Sequence, residues 1–146
     1  MAGLTRRRDW LAALRAELAA TEASPWSWGT HDCVALVARL AGAMCDGELA
    51  PALPDWSSQD EADAALAGAG GLVAAVTARL GPAYEAPALA RRGDVVVTEA
   101  GRGMGLGIMT DGGRVVQATE PVGWVRLPRG SVVMAWPLGW ALAVGT

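Results

Sequence analysis

Trp26-Ser-Trp-Gly-Thr-His-Asp-Cys-Val-Ala-Leu-Val37 sets a cysteine just inside the start of an amphipathic segment. Cys33, Leu36, Val37, Leu40 and Met44 recur at helical spacing, which predicts a helix over about residues 32 to 44 with these side chains on one apolar face. Thr30 is the expected N-cap, making His31, Asp32 and Cys33 the first three helical residues. A helix N-terminus presents unpaired N–H groups and the positive end of the macrodipole, an environment that favours thiolate over thiol. A nucleophilic cysteine also needs a base, and the chain's one histidine is His31. Residues two apart on a helix point to nearly opposite sides, so His31 is badly placed to serve Cys33. The segment has the cradle of a cysteine enzyme without the base.

Working outward, Trp10, Leu11, Leu14 and Leu18 predict an earlier helix over about residues 5 to 21, ending before Ser24-Pro25. Asp46-Gly47 stops the cysteine-bearing helix. A Pro-containing loop follows, then Ser57 or Ser58 caps a helix to about Leu66, Gly68-Ala-Gly-Gly71 breaks it, and Leu72 to Leu80 resumes. Beyond Gly81-Pro82 the pattern changes to short β-branched runs: Val95 to Thr98, Leu106 to Thr110, Arg114 to Ala118, Trp124 to Leu127 and Val132 to Trp136. Asp111-Gly112-Gly113 suits a three-residue hairpin loop with glycine in the left-handed region, and that register sets Gly107 opposite Gln117 with Gly105 on the same face. Helices first and an antiparallel sheet second is an α+β plan, and no linker or repeat divides residues 1–146, so one domain is expected.

The apolar fraction of 52% comes without any run of membrane-spanning length, which points to a well-filled core or a buried interface. A net charge of −3 argues against a general nucleic-acid binder. Arg6-Arg7-Arg8 leads into Asp9 and a mixed amphipathic stretch, which is not the pattern of a secretion signal; the protein is expected to be made in the cytoplasm, with no membrane insertion. Cys33 and Cys45 lie about 18 Å apart along one helix, too far for a disulfide, so both are expected free. No metal-ligand spacing is present, and no cofactor is expected.

Trp28-Gly29-x-x-Asp32-Cys33 running into Val34-Ala-Leu-Val37 resembles the nucleophile motif of the NlpC-type, papain-like cysteine peptidases, where Trp-Gly precedes an Asp-Cys-Ser-Gly-Leu-Val helix start. Arg92-Gly93-Asp94-Val95-Val96-Val97 resembles the family's Pro-Gly-Asp-Leu-Val-Phe strand. Gly105-Leu106-Gly107-Ile108-Met109, followed by Val115-Val116-Gln117-Ala118, resembles its His-Val-Gly-Ile-Tyr and Ile-His-Ala hairpin. The resemblance spans about residues 26 to 120. It implies a papain-like fold with Cys33 at the nucleophile position, Gly105 where the catalytic histidine stands, and Gln117 at the third, orienting position. The Ser-Gly after the family's cysteine is Val34-Ala35 here. Short domains of this kind resemble proteins of phage tails and gene-transfer agents. The resemblance therefore implies a tail-tip or hub component with a degenerate peptidase fold, residing in the virion tail and contacting other tail or baseplate proteins. The alternative is an active cysteine hydrolase of peptidoglycan peptides that aids cell-wall penetration, with Cys33 as nucleophile.

Each feature also has a plainer reading. Cys33 on an apolar face is what a buried structural cysteine looks like. His31 reads as a first-turn surface or hydrogen-bonding residue. Gln117 can orient a partner or satisfy a backbone group but cannot act as a base. Trp26 and Trp28, with Asp32, could flank a binding cleft, while seven Trp in a chain without Phe suggest core filling. Arg6 to Arg8 reads as a solvated helix end or a dock for an acidic partner. The N-terminal helix and the segment Trp136-Pro-Leu-Gly-Trp140-Ala-Leu-Ala-Val lie outside the peptidase-like block and are the expected interface segments. Gly101 to Gly105 lacks the strand-to-helix context and lysine of a phosphate loop.

Overall fold

A computed structural model describes residues 5–28, 31–46, 58–68, 70–99 and 104–139. Thr5–Arg6 (β1) precedes α1 (Trp10–Thr21), α2 (Cys33–Met44), β2 (Cys45–Asp46), α3 (Gln59–Gly68) and α4 (Leu72–Leu80). Five strands follow: β3 (Val95–Glu99), β4 (Met104–Met109), β5 (Val115–Ala118), β6 (Trp124–Leu127) and β7 (Val132–Trp136). They form one antiparallel sheet in the order β6-β5-β4-β3-β7. The fold is mixed α+β, as the change of sequence period predicts.

The first helix begins five residues later than expected, because Thr5 and Arg6 are extended and pair with Asp46 and Cys45. Arg6 is not a solvated helix end. Its guanidinium pairs with Asp94 (3.2 Å), its Nε donates to the Leu138 carbonyl (2.6 Å), and it stacks 4.3 Å from the Trp10 ring centre. The arginine's acidic partner is within its own chain. Gly93 makes room for it: the residue has φ +88°, and a side chain there would put Cβ 2.8 Å from the Arg6 Cζ.

Helix α2 packs on β4 and β5. Leu36, Val37, Leu40, Ala41 and Met44 meet Val95, Val97, Leu106, Ile108, Val116 and Trp136 in the main core. The opposite face of the sheet carries Val96, Met109, Val115, Leu127 and Ala135, covered by Ala90 and Tyr84. Trp136 is fully buried, with its indole N–H on Thr77 Oγ1 (3.3 Å), and Leu138 is fully buried as well. The start of the expected C-terminal interface segment is therefore core, and its remainder, Trp140 onward, lies outside the described residues.

Ser58 caps α3: its hydroxyl accepts from the Glu61 N–H and donates to the Glu61 carboxylate. Ser57 lies outside the described residues. The β4–β5 hairpin turns through Asp111–Gly113 with φ +71° and +70° at the two glycines, the expected three-residue loop. No helix among the described residues is long and apolar enough to cross a membrane.

Candidate functional site

Helix α2 starts one residue after Asp32, which has extended backbone angles (φ −124°, ψ −176°) and accepts the Ala35 N–H on its carboxylate at 2.8 Å. Asp32 is thus the N-cap, and only Cys33 of the three residues expected in the first turn is helical. Ser27 and His31 exchange both backbone hydrogen bonds (3.0 and 2.7 Å), which holds residue 31 outside the helix. Thr30, the expected cap, lies outside the described residues.

Cys33 is half-buried as a residue, and its thiol packs against the core beneath the sheet. Burial pushes that thiol above its ordinary value. The backbone N–H of Leu106 acts in the opposite direction, the nearby Asp32 carboxylate adds to the rise, and the N–H groups of Val34 and Cys33 lower it. The helix start therefore does not give an acidic thiol. Its positive end is already met by the Asp32 carboxylate, and loss of water outweighs what remains.

Leu106 reaches the sulfur because of strand parity. Thr110 N–H bonds to Arg114, so alternate residues Ile108 and Leu106 also turn their N–H groups towards β5. The β4–β5 pairing runs through Met109–Val115 and Ile108–Val116; the next donor along β4 is Leu106, and it acts on Cys33.

Gly105 and Gln117 come together, and they do so by filling each other's space. Thr98 stands opposite Gly105 in the β3–β4 pair, and its hydroxyl donates to Gln117 Oε1 at 2.5 Å. Gln117 thus reaches from β5 across β4 to β3, over Gly105. A Cβ at position 105 would lie 2.7 Å from Gln117 Cδ and closer still to Nε2. Thr98, Gly105, Gly107 and Gln117 project from one face by strand alternation, and Leu106, Ile108 and Val116, which pack under α2, project from the other.

His31 is buried, and its Nε2 lies 2.8 Å from the Gly123 carbonyl. A carbonyl only accepts, so Nε2 carries the proton in this contact. Gly123 has φ +74°, and any side chain would collide with the Glu22 carbonyl. Trp26 and Trp28 meet edge to face at 5.1 Å and 88°, half-buried against the same core as Cys33. The Trp26 Nε1 is buried without a hydrogen-bond partner among the described residues. Among the described residues no three His, Cys, Asp or Glu side chains gather as a metal site, and both cysteines are free.

The sequence reading missed Asp94 as an organising residue. Fully buried, it holds Arg6, accepts the Tyr84 hydroxyl (2.7 Å) and the Arg91 N–H (2.8 Å) on Oδ2, and accepts the Leu138 N–H (3.1 Å) on Oδ1. Burial raises the Asp94 carboxyl and lowers Arg6, while Tyr84 is pushed up to about 12 by burial and by Asp94. An acid directly before three valines is the one signal that marks it, since such a position enters the core with the strand.

A family described as a domain of unknown function, DUF6950, matches residues 5–138. The chain belongs to the DUF6950 family. That match begins at β1 and ends at Leu138, the two stretches that Arg6 and Asp94 tie together. No curated protein matches the chain.

Proposed function

We propose that this DUF6950 protein is a structural or interaction component of a phage tail tip or hub, built on an NlpC-type, papain-like domain whose hydrolase machinery is degenerate. The helix-start cysteine beneath an antiparallel sheet and the order of the sequence blocks support the papain-like reading. The tail setting rests on the resemblance to small tail-encoded domains. The observation that carries the non-enzymatic reading is Gln117 lying across Gly105, in the space a residue-105 side chain would need. Gly105 has no side chain to act as a base, and the His31 ring is held on the Gly123 carbonyl through Nε2. The Cys33 thiol, raised by burial, is poorly ionised near neutral pH.

Two measurements test the parts separately. Alkylation of Cys33 by iodoacetamide at pH 7 should be far slower than that of a free thiol; rapid Cys33-dependent labelling would argue for an activated nucleophile. An epitope-tagged chain expressed with its phage should sediment with assembled tails, and exclusion from every tail fraction would remove the structural assignment.

The second reading, an active cysteine hydrolase of peptidoglycan peptides, is favoured by one feature. The Leu106, Val34 and Cys33 N–H groups surround the sulfur, as donors to an oxyanion would. It requires a base from elsewhere in the chain.

A further inference from the structure

The five-stranded sheet has two edges, and they are treated differently. At β7 the Tyr84 N–H donates to the Ala135 carbonyl (2.8 Å), so the segment before β3 covers that edge. At β6 the pairs Val115–Leu127 and Gln117–Val125 spend the backbone groups of residues 125 and 127 on β5, and the Gly123 carbonyl accepts the Thr119 N–H. By alternation the N–H and C=O groups of Trp124 and Arg126 point outward. Upstream the edge is occupied by the 24–26 segment, through Trp26 N–H to Pro121 (2.8 Å) and Gly123 N–H to Ser24 (2.7 Å); downstream, Pro128 has no N–H to offer. Among the described residues the open edge is thus two residues that carry four backbone groups, flanked by the exposed side chains of Val122 and Val125.

Beside this edge, α1 and β6 enclose a groove of about 240 Å³ lined by Arg15, Leu18, Glu22, Asp111, Trp124 and Arg126. Arg15 is paired with Asp111. Glu22 and Arg126 have no ion-pair partner among the described residues; the Arg126 guanidinium rests 4.8 Å from the Trp124 ring centre.

We propose that this edge pairs antiparallel with the β6 edge of a second copy of the chain, across a two-fold axis at Val125. Three registers suit the parity of the free groups. Centring on Arg126 would set two guanidinium groups opposite each other and bring Trp124 against Pro128, which cannot donate. Centring on Trp124 would run Arg126 onto Val122, where Pro25 already bridges the edge. Centring on Val125 places Trp124 of each copy opposite Arg126 of the other and satisfies all four backbone groups in each chain. It also covers the two Val125 side chains with each other and brings each Arg126 to the groove that holds Glu22 and Trp124 of its neighbour. An unlike pair directly opposite across a strand pair is favourable, and cation–aromatic contact adds to it. The occupant is a copy of this chain because its own edge supplies the complement to every group it exposes.

Sedimentation velocity of the full chain from low micromolar to about 1 mM tests this, because so short an edge gives a weak, concentration-dependent dimer. Arg126→Glu and, separately, Glu22→Arg should each weaken dimerisation about tenfold or more by setting like charges together. The doubly reversed Arg126→Glu/Glu22→Arg chain should return to within about threefold of wild type. Glu22 lies just past the end of α1 and outside β6, so its variant keeps the test intact if the β6 variant fails to fold. A chain that stays monomeric throughout, a dimer indifferent to both single reversals, or one that the double reversal does not restore would each overturn the proposal.

Discussion

Gln117 shows how a single residue takes its role from strands it does not belong to. Its side chain crosses β4 to Thr98, and the absence of a side chain at Gly105 is what lets it pass. A histidine at 105 therefore meets an obstacle that spacing along the chain does not reveal. Gly105→His alone should destabilise the fold by about 1–3 kcal/mol through overpacking. Gly105→His/Gln117→Gly should recover a large part of that loss, and urea unfolding of both singles and the double, read as a mutant cycle, measures the coupling. Additive effects would show that Gln117 does not fill the space. The register that pairs Ile108 with Val116 and Met109 with Val115 was legible from the hairpin, since the loop length fixes it. The reach of Gln117 was not, because it depends on the third strand, and neither was the His31 contact, whose partner lies 92 residues away.

At the scale of the element, α2 was legible as a helix because its apolar residues repeat every three or four positions, and β6 and β7 because their runs are short, β-branched and bounded by Gly or Pro. The start of α2 was not placed, since Thr30 and Asp32 both suit an N-cap and the choice falls to the Ser27–His31 pairing. β1 and β2 have two residues each, too few for any period to show. The cap gives a separable prediction. Asp32→Ala should cost about 1 kcal/mol of stability by orphaning the Ala35 N–H. Asp32→Asn should keep the cap while removing a charge that raises the Cys33 thiol, so its Cys33 alkylation at pH 8 should be faster than that of wild type. Equal rates for the Asp32→Asn and wild-type chains would mean that the Asp32 charge does not reach the sulfur.

Across the whole molecule, the ends of the described chain are fastened to its centre. Asp94, at the head of β3, holds Arg6 from β1 and the backbone of Leu138 beyond β7. Asp94→Ala leaves a buried guanidinium without its counter-ion and should cost about 3–5 kcal/mol, measurable as a lowered urea midpoint. Trp136→Ala should cost a similar amount, about 3–5 kcal/mol, by emptying the core between the sheet and α4. Arg6 and Leu138, which lie in the segments expected to serve as interfaces, help hold the domain together, and this follows from contacts spanning 88 and 132 residues that no local pattern records. Alkaline stability follows the same architecture. Tyr84, Cys33 and Cys45 all have raised values, so the unfolded chain loses these protons first. Their contribution is whole below the ordinary thiol and phenol ranges and is lost as pH climbs from those ordinary values to the folded ones, for Tyr84 from 10.0 to about 12. The urea midpoint should fall over that interval, and Tyr84→Phe should flatten the upper part of the fall. On the proposed NlpC-type reading, Cys33 has no working base. The most direct test is cleavage of purified peptidoglycan stem peptides by the wild-type chain and by Cys33→Ala, followed by mass spectrometry. The two should be indistinguishable from buffer; turnover by wild type that Cys33→Ala abolishes would overturn the proposal.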